Sequence, residues 1–238
     1  GTSLKRDEFV TDCSDIDDII IFRKDGKMTV TKADAKTFVG KDIIHVAVFK
    51  KKDKRTVYNF MYRDGAKGAS YMKRFNVTSV TRDKEYDLTN GTKGSLVHYF
   101  TANLNGEAEA VTINLRAVAG LKKLKWDIDF TDLAVKGRAV RGNTITKYTI
   151  KTVDFKSEGA STLKPRKIWF DDAVQRLNVD ERGELLGEFR AEDKLLIITQ
   201  SGKAKAVKPN LAMHFENDLI VLEKWKANKP ISVIYFDG

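Results

Sequence analysis

The 238 residues carry 43 Lys and Arg against 33 Asp and Glu, a net charge of +10, with one cysteine and three histidines. A surplus of that size speaks to partners rather than to fold, and the usual partners are nucleic acid or an anionic membrane surface. No apolar run approaches the roughly 20 residues that span a bilayer, and signal-peptide and basic amphipathic patterns are missing, so the expectation is a cytoplasmic chain with no membrane partner.

In chain order the pattern is of short β-rich runs broken by glycine turns. Asp18–Arg23 leads through Asp25-Gly26 to Lys27–Lys32, and Asp-Gly between two such runs predicts a hairpin, because type I′ turns need positive φ. Val57–Tyr62 leads through Asp64-Gly65 to Ala69–Phe75, and Leu96–Thr101 through Asn105-Gly106 to Ala110–Leu115. Lys194–Thr199 leads through Ser201-Gly202 to Lys203–Lys208, and a last run, Ile231–Phe236, reaches Asp237-Gly238. These turn glycines are spaced 39, 41, 96 and 36 residues apart. The gap of 96 holds a degenerate copy: Lys167–Phe170, a turn at Asp171–Ala173, then Gln175–Val179, with a short helix over Asp172–Leu177 as the alternative. Hairpin repeats of about 40 residues predict a propeller-like array, since each small sheet cannot bury its own face. About five units fit the length, arranged as a single domain over residues 1–238. The run beginning Gly1–Arg6 and the ending Phe236–Gly238 pair to close a ring, mark a piece of a longer chain, or do both.

Catalytic and metal constellations fail. Cys13 stands alone, His45, His98 and His214 are widely separated, and no P-loop or Gly-x-Ser-x-Gly occurs. The acid pairs Asp17-Asp18, Asp127/Asp129 and Asp171-Asp172 sit at strand edges or turns and lack a third carboxylate. No cofactor, metal or small-molecule substrate is expected, and Trp126, Trp169 and Trp225 read as core.

The charge is concentrated. Residues 50–84 hold eleven basic and three acidic residues, 111–151 nine and three, and 194–230 seven and three, whereas 166–193 is net −3. Lys50, Lys51, Lys52, Lys54 and Arg55 form an inter-strand connector. Arg63, Lys67, Lys73 and Arg74 surround the second hairpin turn, and Lys93 follows in Thr92-Lys93-Gly94. Lys122, Lys123 and Lys125 precede Val135–Asn143, where Lys136, Arg138 and Arg141 alternate with glycines that let a backbone approach a phosphate. With Lys147, Lys203 and Lys205 these are the candidate DNA-binding residues. Exposed stacking aromatics are inconspicuous and no base-reading element is present, which favours sequence-independent contact with duplex backbone.

The repeat of apolar run, glycine turn and Lys/Arg-bearing strand resembles that of the C-terminal domain of bacterial type IIA topoisomerase A subunits, those of gyrase and topoisomerase IV. Asp17–Lys32, Val57–Val77, Leu96–Leu115 and Lys194–Lys208 carry the resemblance, and Arg82–Leu88 is similar to the topoisomerase IV branch. The resemblance implies a β-pinwheel of about five four-stranded blades that bends duplex DNA around a basic rim and positions a segment for strand passage. It implies no catalysis, since the active-site tyrosine lies in a separate breakage-reunion domain. That domain and the ATPase B subunit are the implied partners, and a nucleoid-associated location follows. Gyrase carries a Gln-Arg-Arg-Gly-Gly-Lys-Gly box where this chain has residues 35–41, without it, which favours topoisomerase IV over the gyrase wrapping domain. A WD-type interaction scaffold would repeat Gly-His and Trp-Asp, but Trp126-Asp127 stands unrepeated. A propeller hydrolase has only the scattered acid pairs in its favour.

Overall fold

A computed structural model describes residues 10–34, 36–190 and 192–234. Ring closure by residues 1–6 and 236–238 lies outside them, as does Ala35. The regular structure of the described residues is nearly all β-strand, in several small, mostly antiparallel sheets, and the chain falls into two compact units, residues 1–162 and 163–238.

In the first unit, β1 (Asp18–Arg23) and β2 (Lys27–Lys32) form the expected hairpin, and β3 (Ile43–Phe49) pairs with β1. Gly26 makes the tight turn at φ +82. A second hairpin joins β4 (Val57–Arg63) to β5 (Ser70–Asn76). The next strand, β6 (Glu85–Asp87), returns to pair with β2 of the first sheet, and β7 (Leu96–Asn103) pairs with β4. The third hairpin is β8 (Ala110–Leu115) with β9 (Lys125–Asp129). After it, β10 (Val135–Gly137) and β11 (Asn143–Thr146) return to β5, the former in parallel, while β12 (Ile150–Ser157) pairs with β8. The second and third hairpins are therefore each followed by short strands handed back to the sheet before. This exchange is what a pinwheel requires, and it ties consecutive repeats together by backbone hydrogen bonds.

The second unit repeats the scheme with β13 (Arg166–Asp171), β14 (Arg176–Asn178) and β15 (Glu184–Phe189), then β16 (Leu195–Thr199), β17 (Ala204–Val207) and β18 (Leu219–Lys224). The degenerate copy is a hairpin, not a helix: Gln175 takes the left-handed conformation, φ +52, that glycine supplies elsewhere. The returning strand shrinks here to one bridge, Arg176 to His214.

Three expectations change. Leu96–Thr101 and Ala110–Leu115 are not hairpin partners, because β7 belongs to the second sheet and β8 to the third. Asn105-Gly106 is a crossing between sheets, and the true third turn is the longer 116–124 segment. The five sheets among the described residues have four, five, three, three and three strands rather than four each. Residues 231–234, read as a strand, form none.

Packing follows from the exchange. One core joins Ile20, Phe22, Met28 and Val30 of the first sheet to Phe60, Tyr62 and Phe75 of the second. Another joins Met61 and Met72 of the second sheet to Val111, Ile113 and Phe130 of the third. The second sheet is thus covered on both faces, and every residue of β4 from Val57 to Tyr62 is buried. A third core, around Ile168, Phe189, Leu195 and Ile197, holds the second unit together. Each such aliphatic or aromatic side chain contributes about 1.5–3 kcal/mol by leaving water.

Candidate nucleic-acid interface

The glycine-rich segment 135–143 is held along the edge of β5. Val135–Gly137 pair with Arg74–Asn76, and Asn143 pairs with Met72. Between them the chain bulges outward, fixed from below by two buried side chains. Lys73 Nζ donates to the carbonyls of Arg138 (2.6 Å) and Val140 (2.9 Å), and the Tyr62 hydroxyl donates to that of Arg141 (2.7 Å). Gly142, at φ +93, lies so near β5 that a Cβ would stand 2.4 Å from the Met72 carbonyl oxygen, so only glycine fits.

Two aromatic rings then orient the arginines. The Arg138 guanidinium stacks on Tyr86, 4.3 Å from its centroid, and donates to the Ser79 carbonyl at 2.8 Å. Arg141 stacks on Tyr71 at 4.5 Å and donates to its hydroxyl. Lys84 also lies over Tyr86 (5.5 Å). Stacking of this kind contributes about 0.5–1 kcal/mol at exposed sites and leaves the guanidinium edges available to anions.

The 50–55 connector meets the same place. The Lys52 backbone N–H donates to the Thr78 carbonyl (2.8 Å), one residue from the carbonyl that Arg138 takes. Asp53 caps the turn through the Arg55 and Thr56 backbone N–H groups. Two basic stretches more than 80 residues apart in sequence therefore converge on residues 78–79. Among the described residues no carboxylate lies within 4 Å of a cationic group of Lys50, Lys51, Lys52, Lys54, Lys136, Arg138, Arg141 or Lys147. All but Arg138, which is half-buried, are exposed. By contrast Arg23, Lys27 and Arg82 are ion-paired to Asp25, Glu85, Asp87 or Asp18.

The remaining candidates sit elsewhere. Lys67 lies on the second hairpin turn, against which the turn of Lys93 packs, with Gly65 N–H bonded to Ser95 Oγ at 2.9 Å. Lys122 and Lys123 lie on the third turn, and Lys125 opens β9. Half-buried Arg55 and Arg63 lie beside their turns, Arg63 Nε donating to the Gly65 carbonyl. Lys203 and Lys205 are exposed at the fifth hairpin, in the second unit.

Lys73 and Arg74 are corrections. They are 4 % and 1 % exposed and cannot meet a phosphate. Alternation along β5 suggests that one of each neighbouring pair faces solvent, but this sheet is buried on both faces. Burial pushes the Lys73 ammonium down to about 8, and lowers Arg74 as well. Arg74 instead donates to Asn59 Oδ1 (3.0 Å), the Gly106 carbonyl (2.9 Å) and Thr162 Oγ1 (3.2 Å). Asn59 continues to Glu109, whose carboxylate also accepts from Tyr99 and Thr101. This buried chain of polar groups pins the 105–109 crossing to the second sheet.

The acid pairs have structural partners. Asp18 holds Arg82, Asp127 holds Lys156 and Thr112, and Asp129 caps Thr131. Among the described residues no group of three or more His, Cys, Asp or Glu could hold a metal ion, and no helix is long and apolar enough to cross a membrane.

Fold and loops together define an all-β repeat protein with a cationic, aromatic-braced edge. The chain belongs to the topoisomerase C-terminal domain family of Bacteroidota, whose model matches residues 1–158 and 176–238. Among solved structures it is similar to the crystal structure of the C-terminal domain of DNA topoisomerase IV, at 12% identity over 89% of this chain and 80% of that one, TM-score 0.40. It is also similar to a DNA gyrase A C-terminal domain, at 11% identity over 90% and 84%, TM-score 0.30. No curated protein sequence matches the chain.

Proposed function

We propose that this chain binds duplex DNA without sequence preference and bends it, acting as a non-catalytic domain that positions a segment for strand passage by a type IIA topoisomerase. The observation that carries this reading is the convergence of Lys50–Lys54 with Lys136, Arg138 and Arg141 on one edge, without carboxylate partners. Membership of a topoisomerase C-terminal family supports it. Cations oriented on rings and interleaved with glycines suit phosphates, whose contacts fix position but carry no sequence information. Lys67, Lys93, Lys122, Lys123, Lys125 and Lys147 of the first unit and Lys203 and Lys205 of the second are further candidate contacts, within a chain read as a single DNA-binding domain over residues 1–238. Partners in the parent enzyme are the breakage-reunion domain of the same subunit and the ATPase subunit, at the nucleoid. Topoisomerase IV is the favoured branch over gyrase, because residues 35–41 lack the Gln-Arg-Arg-Gly-Gly-Lys-Gly box.

The test is duplex binding by a Lys136→Glu, Arg138→Glu, Arg141→Glu variant. These side chains are outside the core, so thermal stability should hold while affinity falls at least tenfold. Unchanged affinity would remove this edge as the contact face.

A further inference from the structure

On the opposite edge of the second sheet, β7 and the start of β12 enclose a cleft of about 450 Å³. That volume lies within the roughly 300–1,000 Å³ of small-ligand sites. Its wall carries Lys24, Arg63, Arg116 and Lys151, together with His98, and Asp154 as its one acid. Backbone bonds assemble it from separate segments: the Val97 N–H donates to the Lys24 carbonyl (2.9 Å), and the Arg116 N–H to that of Thr149 (2.9 Å).

The charge is unbalanced. Among the described residues none of these four cations has a carboxylate within 4 Å. Asp154 is already engaged, accepting from Asn114 Nδ2 (2.7 Å) and Thr152 Oγ1 (3.4 Å). His98 Nε2 is buried without a partner, and an unmade bond at a buried polar atom is costly. Burial first, then Arg63 and Lys24, push the imidazole down to about 4, so it is neutral at physiological pH. A neutral ring carrying its proton on Nε2 donates one hydrogen bond.

We propose that this cleft is a phosphate-binding site separate from the β10–β11 edge. A phosphate offers several oxygens and more than one negative charge, matching the guanidinium forks of Arg63 and Arg116, the ammonium groups of Lys24 and Lys151 and the orphan His98 nitrogen. The phosphate is that of a duplex backbone or of a free phosphorylated molecule, and the chemistry of recognition is the same.

The test is an NMR titration of the full chain with inorganic pyrophosphate at constant ionic strength. Saturable shifts are expected at His98, Arg116 and Lys151, and an Arg116→Ala, Lys151→Ala variant should bind at least tenfold more weakly. Both side chains belong to exposed residues, and an unchanged amide spectrum elsewhere establishes that the variant folds. Absence of saturation, or wild-type affinity in the variant, overturns the proposal. Adding a 20-base-pair duplex to the Lys136→Glu, Arg138→Glu, Arg141→Glu protein then separates the sources: displacement of pyrophosphate assigns the site to backbone, and its retention to a free ligand. Absence of duplex binding by the unsubstituted chain, with pyrophosphate binding intact, would refute the DNA-bending reading and leave the cleft standing.

Discussion

Replacing Lys73 by methionine separates the cost of burying a charge from the value of the bonds it makes. Within the fold the ammonium titrates at about 8, against 10.5 for the ordinary side chain, because burial disfavours its charged form. At about 1.4 kcal/mol per pH unit, holding it protonated at pH 7 costs about 3 kcal/mol. Against that stand two hydrogen bonds to the Arg138 and Val140 carbonyls, each contributing on the order of 1–1.5 kcal/mol. The two sides nearly cancel, so Lys73→Met should change stability little at pH 7. Between pH 8 and 10.5 the unfolded lysine keeps a proton that the folded one has released. Wild-type stability therefore rises relative to the variant across that window, by about 3 kcal/mol in all. Urea unfolding at several pH values measures this, with Trp126 reporting on the first unit once Trp169 and Trp225 are replaced by Phe. Taking the difference between the two proteins cancels every other titrating group. Parallel pH profiles would refute the claim that Lys73 is buried as a strained cation.

Arg74→Ala should destabilise the first unit by about 3–5 kcal/mol in the same assay, since it leaves Asn59 and Glu109 buried beside a void. Gly142→Ala should cost at least about 1–2 kcal/mol and weaken duplex binding, because its Cβ meets the Met72 carbonyl at positive φ. Gly137→Ala, where an added Cβ meets nothing within 4 Å, is the control and should stay within about 0.5 kcal/mol.

Much of the fold can be read from residues whose chemistry is local. Asp25-Gly26, Asp64-Gly65 and Ser201-Gly202 mark real hairpins because positive φ leaves its trace in glycine. The fourth hairpin is faint for the converse reason: Gln175 adopts that conformation without the glycine that would advertise it. Asn105-Gly106 misleads because Gly106 is also at positive φ, yet what decides pairing is which sheet each flanking strand joins. The exchanged strands β6, β10 and β11 are three or four residues long, and their partners lie some 55–75 positions earlier. No local pattern reports such pairing. The same holds for the site. The basic character of Lys50–Arg55 and Lys136–Arg141 is plain in the sequence, and these stretches look like two alternative contact faces. Only the fold brings them together at Thr78 and Ser79. The second function of Tyr71 and Tyr86, bracing arginines, depends on β11 and β6 and is equally invisible beforehand. Alternation would turn one of Lys73 and Arg74 outward because it presumes one covered face, and the exchange covers both.

The central claim is that an edge of unpaired cations binds duplex backbone, and binding to plain duplex across a salt series tests it most directly. With about five phosphates neutralised, log affinity should fall against log salt with a slope of about −4 to −5, equally for unrelated sequences. The Lys136→Glu, Arg138→Glu, Arg141→Glu variant should show a slope shallower by about 2–3. Binding that is absent, insensitive to salt or strongly dependent on sequence would contradict the account.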